Sequence, residues 1–541
     1  MRAKVITEPT EFDAMTKRRN AGKPRPRTRA PIGSLAVGLL FSGALFALFP
    51  GPSQAQDPAV EAARSFRSAH EVEILRGFAE LLAIPNVAGD TANLLRNADL
   101  IVDELEARGA RMEVWRHPGA SPLIYGELPA PGAARTLGIY VHYDGQPVDE
   151  SRWVHGPWEP TLYDGAIDEG GRPISFPGAG EAVDPEWRIY ARSAGDDKAP
   201  LPALFAALDA LEEAGIRRTS NLVFLFDGEE EAGSPYLDEY MAAHRDRLDV
   251  DLWLFCDGPV HQSGRPQLTF GVRGVTGLSV TVYGATRSLH SGHYGNWAPV
   301  PGQMLAELLA SMKDADGNVT IDGFYDTVDP IGETERAALR NLPSYGEELK
   351  GELGLSWTEG EPQSLEERLL LPSLTVRGLS SGNVGERARN VIPSEATAAL
   401  GIRLVKGNDP EEMKDLVEAH IREQGYHIVR EEPDRATRLA HRKVARIVRG
   451  GGYVASRTPM DTPMARRIVE ATRRATEDEL VLLPALGGSL PLYLFTEDLG
   501  APAVIVPIAN HDNNQHAPNE NLRLANLWYG IELYAAILTM P

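Results

Sequence analysis

The sequence predicts an α/β protein: a larger domain on a mostly parallel sheet, with a smaller α+β domain inserted into it. Two observations carry this. Four short apolar runs, Thr136–Val141, Asn221–Phe226, Asp251–Cys256 and Pro502–Ile508, are each long enough for a strand buried on both faces, and helical patterns lie between them. Between the third and fourth runs the pattern changes to the alternation of an open sheet covered on one side.

The elements follow in order. Residues 1–55 stand apart. Lys17, Arg18, Arg19, Lys23, Arg25, Arg27 and Arg29 form a basic stretch, and an uncharged run spans Ile32 to Phe49. Small residues at Ser53 and Ala55 follow Pro50 and Gly51. This is the layout of a secretory signal peptide, with an uncleaved anchor helix as the alternative. Arg18-Arg19 hints weakly at twin-arginine export. The expected location is periplasmic or secreted, with membrane association only if the segment is uncleaved. Val60 to Ala107 reads as helical, broken at Pro85, and Leu201 to Ala214 as a further helix.

In the middle, Gln267–Tyr283, Leu374–Gly378, Ala396–Val405 and Tyr426–Glu431 read as strands, and Gly302–Lys313 and Pro410–Glu423 as helices. They predict an inserted domain at 265–433, dividing the larger domain into 56–264 and 434–541. Residues 314–372 are polar and expected at that domain's surface. Gly450-Gly451-Gly452 is read as a flexible loop.

Composition narrows the function. The chain has 541 residues, 43% of them hydrophobic, which excludes a disordered or fibrous class. A net charge of −22 argues against a nucleic-acid partner. Cys256 is the single cysteine, so an intramolecular disulfide and a multi-thiolate zinc site are both excluded. Any metal must be held by His, Asp and Glu.

Such residues follow each apolar run. His142-Tyr143-Asp144 follows the first, Asp227 to Glu231 the second and Asp257 the third, while His516 lies in the loop after the fourth. Asp196-Asp197-Lys198 precedes the helix at Leu201. Alone, each has a bland reading as a surface pair, a solvated acidic face or a helix cap. Together they occupy equivalent places, because ligands bind beyond the carboxyl ends of strands in open α/β sheets. Two histidines and three carboxylates suit two zinc ions, with manganese or cobalt as alternatives.

The chain resembles the dizinc exopeptidases of peptidase family M20, which include carnosinases, non-specific dipeptidases, glutamate carboxypeptidase and the acetylornithine and succinyl-diaminopimelate deacylases. It looks most like the carnosinase-like dipeptidases. The matching motifs are HYD at 142–144, GDDK at 195–198, EEEAGS at 229–234, CDG at 256–258, LHSG at 289–292, GGSLP at 487–491 and HAPNE at 516–520.

The resemblance implies that His142, Asp196, Glu231, Asp257 and His516 hold two Zn2+ per subunit, with Asp196 bridging. It makes Glu230 the catalytic base, with Glu229 as the alternative register, and Asp144 the acid that orients His142. The inserted domain becomes a lid and dimerisation domain, and the protein a homodimer through it. His290 then stabilises the oxyanion in the partner subunit's site. Asn390, Arg403, Gly488 and Ser489 then contact the substrate's carboxylate.

Three features depart from the family pattern: Ala199 where glycine is usual, Ser288 where many dipeptidases have Asp, and a long 155–190 segment. The implied reaction is hydrolysis of dipeptides or short peptides by a metal-bridged hydroxide with a glutamate base. A deacylase or carboxypeptidase on the same scaffold is the alternative, and a non-catalytic binding module comes from another class.

Overall fold

The computed structural model describes residues 57–541. The signal-segment reading at 1–55 lies outside the described residues. Among those described, no helix is long and apolar enough to cross a membrane.

The larger sheet has eight strands. Their order is Arg111–Trp115, Leu123–Leu128, Ser220–Asp227, Arg135–His142, Leu252–Phe255, Ala503–Ile505, Gln267–Thr269 and Val481–Leu483. The middle four are parallel. The first two run antiparallel to each other, the second of them is antiparallel to 220–227, and 267–269 joins 503–505 antiparallel. The central strands are apolar through their middles because both faces are covered, with polar residues such as Asn221, Asp227 and His142 only toward their ends. Leu222, Phe224 and Phe226 face a layer of three helices, Pro58–Leu82, Pro200–Glu213 and Leu524–Leu538. Val223 and Leu225 face the opposite layer with Tyr140, Trp253, Phe255 and Phe495. A Cβ at Gly138 would lie 2.3 Å from the Trp253 ring, so glycine is what lets that indole lie flat on the strand.

A four-stranded antiparallel sheet, ordered Asn521–Arg523, Arg188–Tyr190, Thr161–Tyr163 and Pro173–Ile174, accounts for the long 155–190 segment. Its register sets Asn521 opposite Tyr190. That pairing draws the loop after Tyr190 and the loop before Asn521 together, and both bear acids or histidines.

The inserted domain is built on a five-stranded sheet ordered Ser373–Ser380, Glu395–Leu404, Gly274–Tyr283, Val444–Arg449 and His427–Val429. Ala396, Ala398, Leu400, Ile402 and Leu404 are buried, and this face packs on helices Pro301–Ala310 and Pro410–Glu423. The bounds 265–433 need correction to about 274–449. Gln267–Thr269 belongs to the larger sheet, and Val444–Arg449 pairs with 274–283 in the smaller one. The chain crosses between domains through Gly271–Val272 and returns through Ser456–Arg457, and these two segments pair with each other.

Two of the three glycines after 449 are packed rather than free, and Gly451 faces open space. Gly450 N–H donates to the Gly277 carbonyl at 2.9 Å, and a Cβ at Gly452 would lie 2.5 Å from the Val275 oxygen. Residues 314–372 also do more than cover the surface. They form three short helices, and Val319, Ile321 and Phe324 enter the lid core.

Candidate metal centre

The ionisable residues converge at one edge of the larger sheet. His142 ends strand 135–142, Glu229–Glu231 follow strand 220–227, and Asp257 follows strand 252–255. Their ligand atoms form two groups, His142–Asp197–Asp257 and Asp196–Glu231–His516, each with all atoms within 4.8 Å of one another. Asp196 joins the groups. Its Oδ1 lies 2.9 Å from His142 Nε2 and its Oδ2 lies 3.0 Å from His516 Nε2. Glu231 Oε2 is 3.3 Å from the same His516 nitrogen.

The electrostatics fit cations. Burial, with Asp196 adding repulsion, pushes the Asp257 carboxyl up to about 6 and that of Glu231 up to about 7. Burial also raises the Glu230 carboxyl well above the usual carboxylate range, with Asp257 and Glu231 adding to it and His142 opposing. Buried acids crowded this closely are poorly compensated by protein alone. Two imidazoles among several carboxylates form a donor set for zinc, manganese or cobalt.

Backbone amides hold the cluster in shape. Asp144 Oδ1 accepts the Glu230 N–H at 3.0 Å and Oδ2 accepts the Glu231 N–H at 3.1 Å. Its Oδ1 also lies 3.5 Å from His142 Nδ1. One carboxylate thus fixes a histidine and the turn bearing two glutamates. Glu229 points elsewhere, accepting the Ser121 N–H at 3.0 Å. Glu230 is the glutamate whose charge faces His142 and Asp257.

Sequence reasoning missed four supporting residues and one donor. Glu520, fully buried, accepts the N–H groups of Gly195 (3.0 Å), Asp196 (2.8 Å) and Ser193 (3.1 Å), and Arg192 Nη1 at 2.6 Å. Gln146 donates to Glu231 Oε2 at 2.7 Å and Gln515 to Asp196 Oδ2 at 2.8 Å. Lys198 Nζ donates to the carbonyls of Leu81 (2.9 Å) and Ile84 (3.1 Å), which pins the segment to the first helix. Asp197 is the extra donor, beside His142 and Asp257. The repeated acid in Asp196-Asp197 and the acid closing the 516–520 motif were the available signals.

The expected substrate contacts lie in two separate places. His290 and Asn390 are exposed and adjacent: His290 pairs with Val391, and Ser291 N–H donates to the Asn390 carbonyl at 3.0 Å. Among the described residues no hydrogen bond or ion pair joins either one to the metal groups. Arg403 Nη1 donates to Ser489 Oγ at 2.6 Å, and that hydroxyl donates to the Arg273 carbonyl at 2.8 Å. The Gly488 carbonyl accepts the Arg273 N–H at 3.3 Å. Among the described residues Arg403 has no carboxylate at ion-pair distance.

Paired acid–histidine groups at the carboxyl edge of a mostly parallel sheet, under an inserted α+β domain, define a metallopeptidase. The model of peptidase family M20/M25/M40 matches residues 138–540, and the chain belongs to that family. It is 26% identical over 480 residues to the Cys-Gly metallodipeptidase dug1 of Schizosaccharomyces pombe, covering 85% of this chain and 94% of that one. It is 26% identical over 491 residues to the human beta-Ala-His dipeptidase, covering 86% and 90%. Among solved structures, the M20 family metallo-carboxypeptidase Sso-CP2 from Sulfolobus solfataricus superposes with a TM-score of 0.67 at 26% identity. That match covers 86% of this chain and 98% of that one.

Proposed function

We propose that the protein is a dizinc dipeptidase, exported from the cytoplasm and active as a homodimer. The observation that carries this reading is Asp196, whose two oxygens face His142 and His516 from opposite sides. His142, Asp196 and Asp257 would hold one ion and Asp196, Glu231 and His516 the other. The ions supply a Lewis acid for the scissile carbonyl and lower the pKa of the attacking water.

Glu230 takes that water's proton and later passes it to the leaving amine. Asp144 keeps Glu230 in place through its backbone N–H. Arg403 grips the substrate's terminal carboxylate with Ser489 and Gly488 beside it, which limits the substrate to short peptides. His290 donates to the oxyanion, and Asn390 assists at the carboxylate, both from the partner subunit. Their exposure and separation from the metal groups in their own chain support that arrangement. So do the apolar side chains Val376, Leu379 and Val384, which the lid leaves exposed. The dipeptidase relatives support the substrate class. The basic, apolar and small-residue run at 1–55 supports export.

The test is a panel of dipeptides, longer peptides and N-acyl amino acids, assayed after chelation and after zinc is restored. Hydrolysis confined to dipeptides, lost with chelator and regained with zinc, is expected. Turnover of N-acyl amino acids alone would make the protein a deacylase.

A further inference from the structure

Beneath residues 343–372 lies a cavity of about 840 Å3 that the dipeptidase reading does not use. Arg273, Leu369, Ser373 and Thr375 are in its wall. It sits beside the Arg403–Ser489 pair. Ser373 is directly opposite Arg403 in the lid sheet, so their side chains share a face. Arg273 reaches the same place, its Nη2 donating to Ser373 Oγ at 3.0 Å and to the Leu371 carbonyl at 2.8 Å. The 487–489 loop touches both the cavity wall and Arg403. Leu369 lies 3.2 Å from where a Cβ on Gly487 would sit, and Ser489 bonds both Arg403 and the Arg273 backbone.

The charge balance there is unusual. Lys313 and Lys350, also in the wall, are neutralised by Glu359 and by Glu347 and Glu361. Arg273 is not. It is 6% exposed, its Nε has no partner, and among the described residues no carboxylate lies at ion-pair distance. Burial and the neighbouring Arg403 charge push its guanidinium down to about 10. Two adjacent guanidiniums without an acid are costly in a chain of net charge −22. A ligand bringing two carboxylates would neutralise both.

We propose that this cavity takes the side chain of the substrate's C-terminal residue, and that Arg273 selects a carboxylate there. Resting on the dipeptidase reading, in which Arg403 holds the main-chain carboxylate, this makes dipeptides ending in Glu or Asp the preferred substrates. The cavity lies within the range of small-ligand sites, so it admits either side chain.

The experiment compares kcat/KM for Ala-Glu, Ala-Gln and Ala-Ala with the zinc-loaded dimer. Ala-Glu should exceed Ala-Gln at least tenfold. Arg273→Met should bring that ratio to within threefold of one, while Arg273→Lys should keep part of it. Thr375→Glu, on an exposed strand, should also reduce the ratio, and it tests the cavity should Arg273→Met fail to fold. Equal rates on Ala-Glu and Ala-Gln would overturn the inference while Ala-Ala hydrolysis leaves the dipeptidase reading standing. If no dipeptide is turned over, that reading fails, and calorimetry decides the pocket separately. Glutamate binding at least tenfold tighter than glutamine would support the pocket, and equal binding would overturn it.

Discussion

The metal groups and the lid contacts are built in opposite ways. At the sheet edge, His142, Asp144, Asp196, Asp257 and Glu520 are all buried, and backbone amides hold the acids in place. On the lid, His290 and Asn390 are exposed, and Arg403 waits beside Ser489 without an acid. The first region is finished within one chain. The second, on the reading proposed above, is complete only when a substrate and a second subunit arrive. Chemistry is thus pre-organised where charge develops, and recognition is left to parts that come together.

Four measurements bear on this contrast, the largest effect first. Glu230→Gln should lower kcat about 10²–10⁴-fold, because it removes the proton carrier. Elemental analysis should find both metals still bound. Loss of one metal with activity partly kept would mean that Glu230 is a ligand, not the base. His290→Ala should lower kcat about 10²–10³-fold, as loss of an oxyanion donor does. Mixing it with Glu230→Gln subunits should restore part of the activity, since a mixed dimer holds one intact composite site. No recovery despite proven subunit exchange would place both regions in one chain.

Arg403→Ala should raise KM about 30-fold for dipeptides with a free carboxylate, the weak end of about 2–5 kcal/mol for a desolvated charge pair. C-terminally amidated analogues should change little. Equal losses on both would make Arg403 a brace of the lid.

The smallest effect concerns the lid alone. Burial would raise the Glu418 carboxyl, but Arg430 and Arg449 outweigh it and hold it at about 2. Its native value is therefore below the unfolded one, so the stabilisation is complete above about pH 4.5 and is lost as pH falls toward 2. Glu418→Gln should cost about 1–3 kcal/mol at pH 7, at the low end because Arg422 and Arg430 are half exposed. Thermal unfolding at pH 7 and pH 3 checks it. The difference between wild type and variant should shrink in acid.

The parallel core was legible because a strand covered on both faces is apolar through its middle. The site was legible because its residues sit just beyond such strands. The lid's edges were not. Gln267–Tyr283 reads as one alternating stretch, yet the chain changes sheets within it at Gly271–Gly274. Val444–Arg449 contains Arg446 and Arg449, which masked a strand next to the sheet's centre. Glu520 and Arg273 act through a carboxylate on amides and a guanidinium on a cavity. The second leaves no spacing in the sequence, and the first shows only as the acid that closes the 516–520 motif.

The crossing between domains has one more consequence. Gly271 is the direct partner of Arg457, and Val272 of Ser456. Topologically the whole lid is a single loop closed by one antiparallel ladder. Closure cost grows only slowly with loop length, so such a loop can be lengthened, trimmed or exchanged without disturbing the order of the strands beneath it. Arg403, which we propose holds the substrate's carboxylate, travels with that exchangeable piece, while Gly488 and Ser489 stay behind. The acids and histidines of the metal groups stay as well, which lets new specificities be tried on an unchanged metal centre.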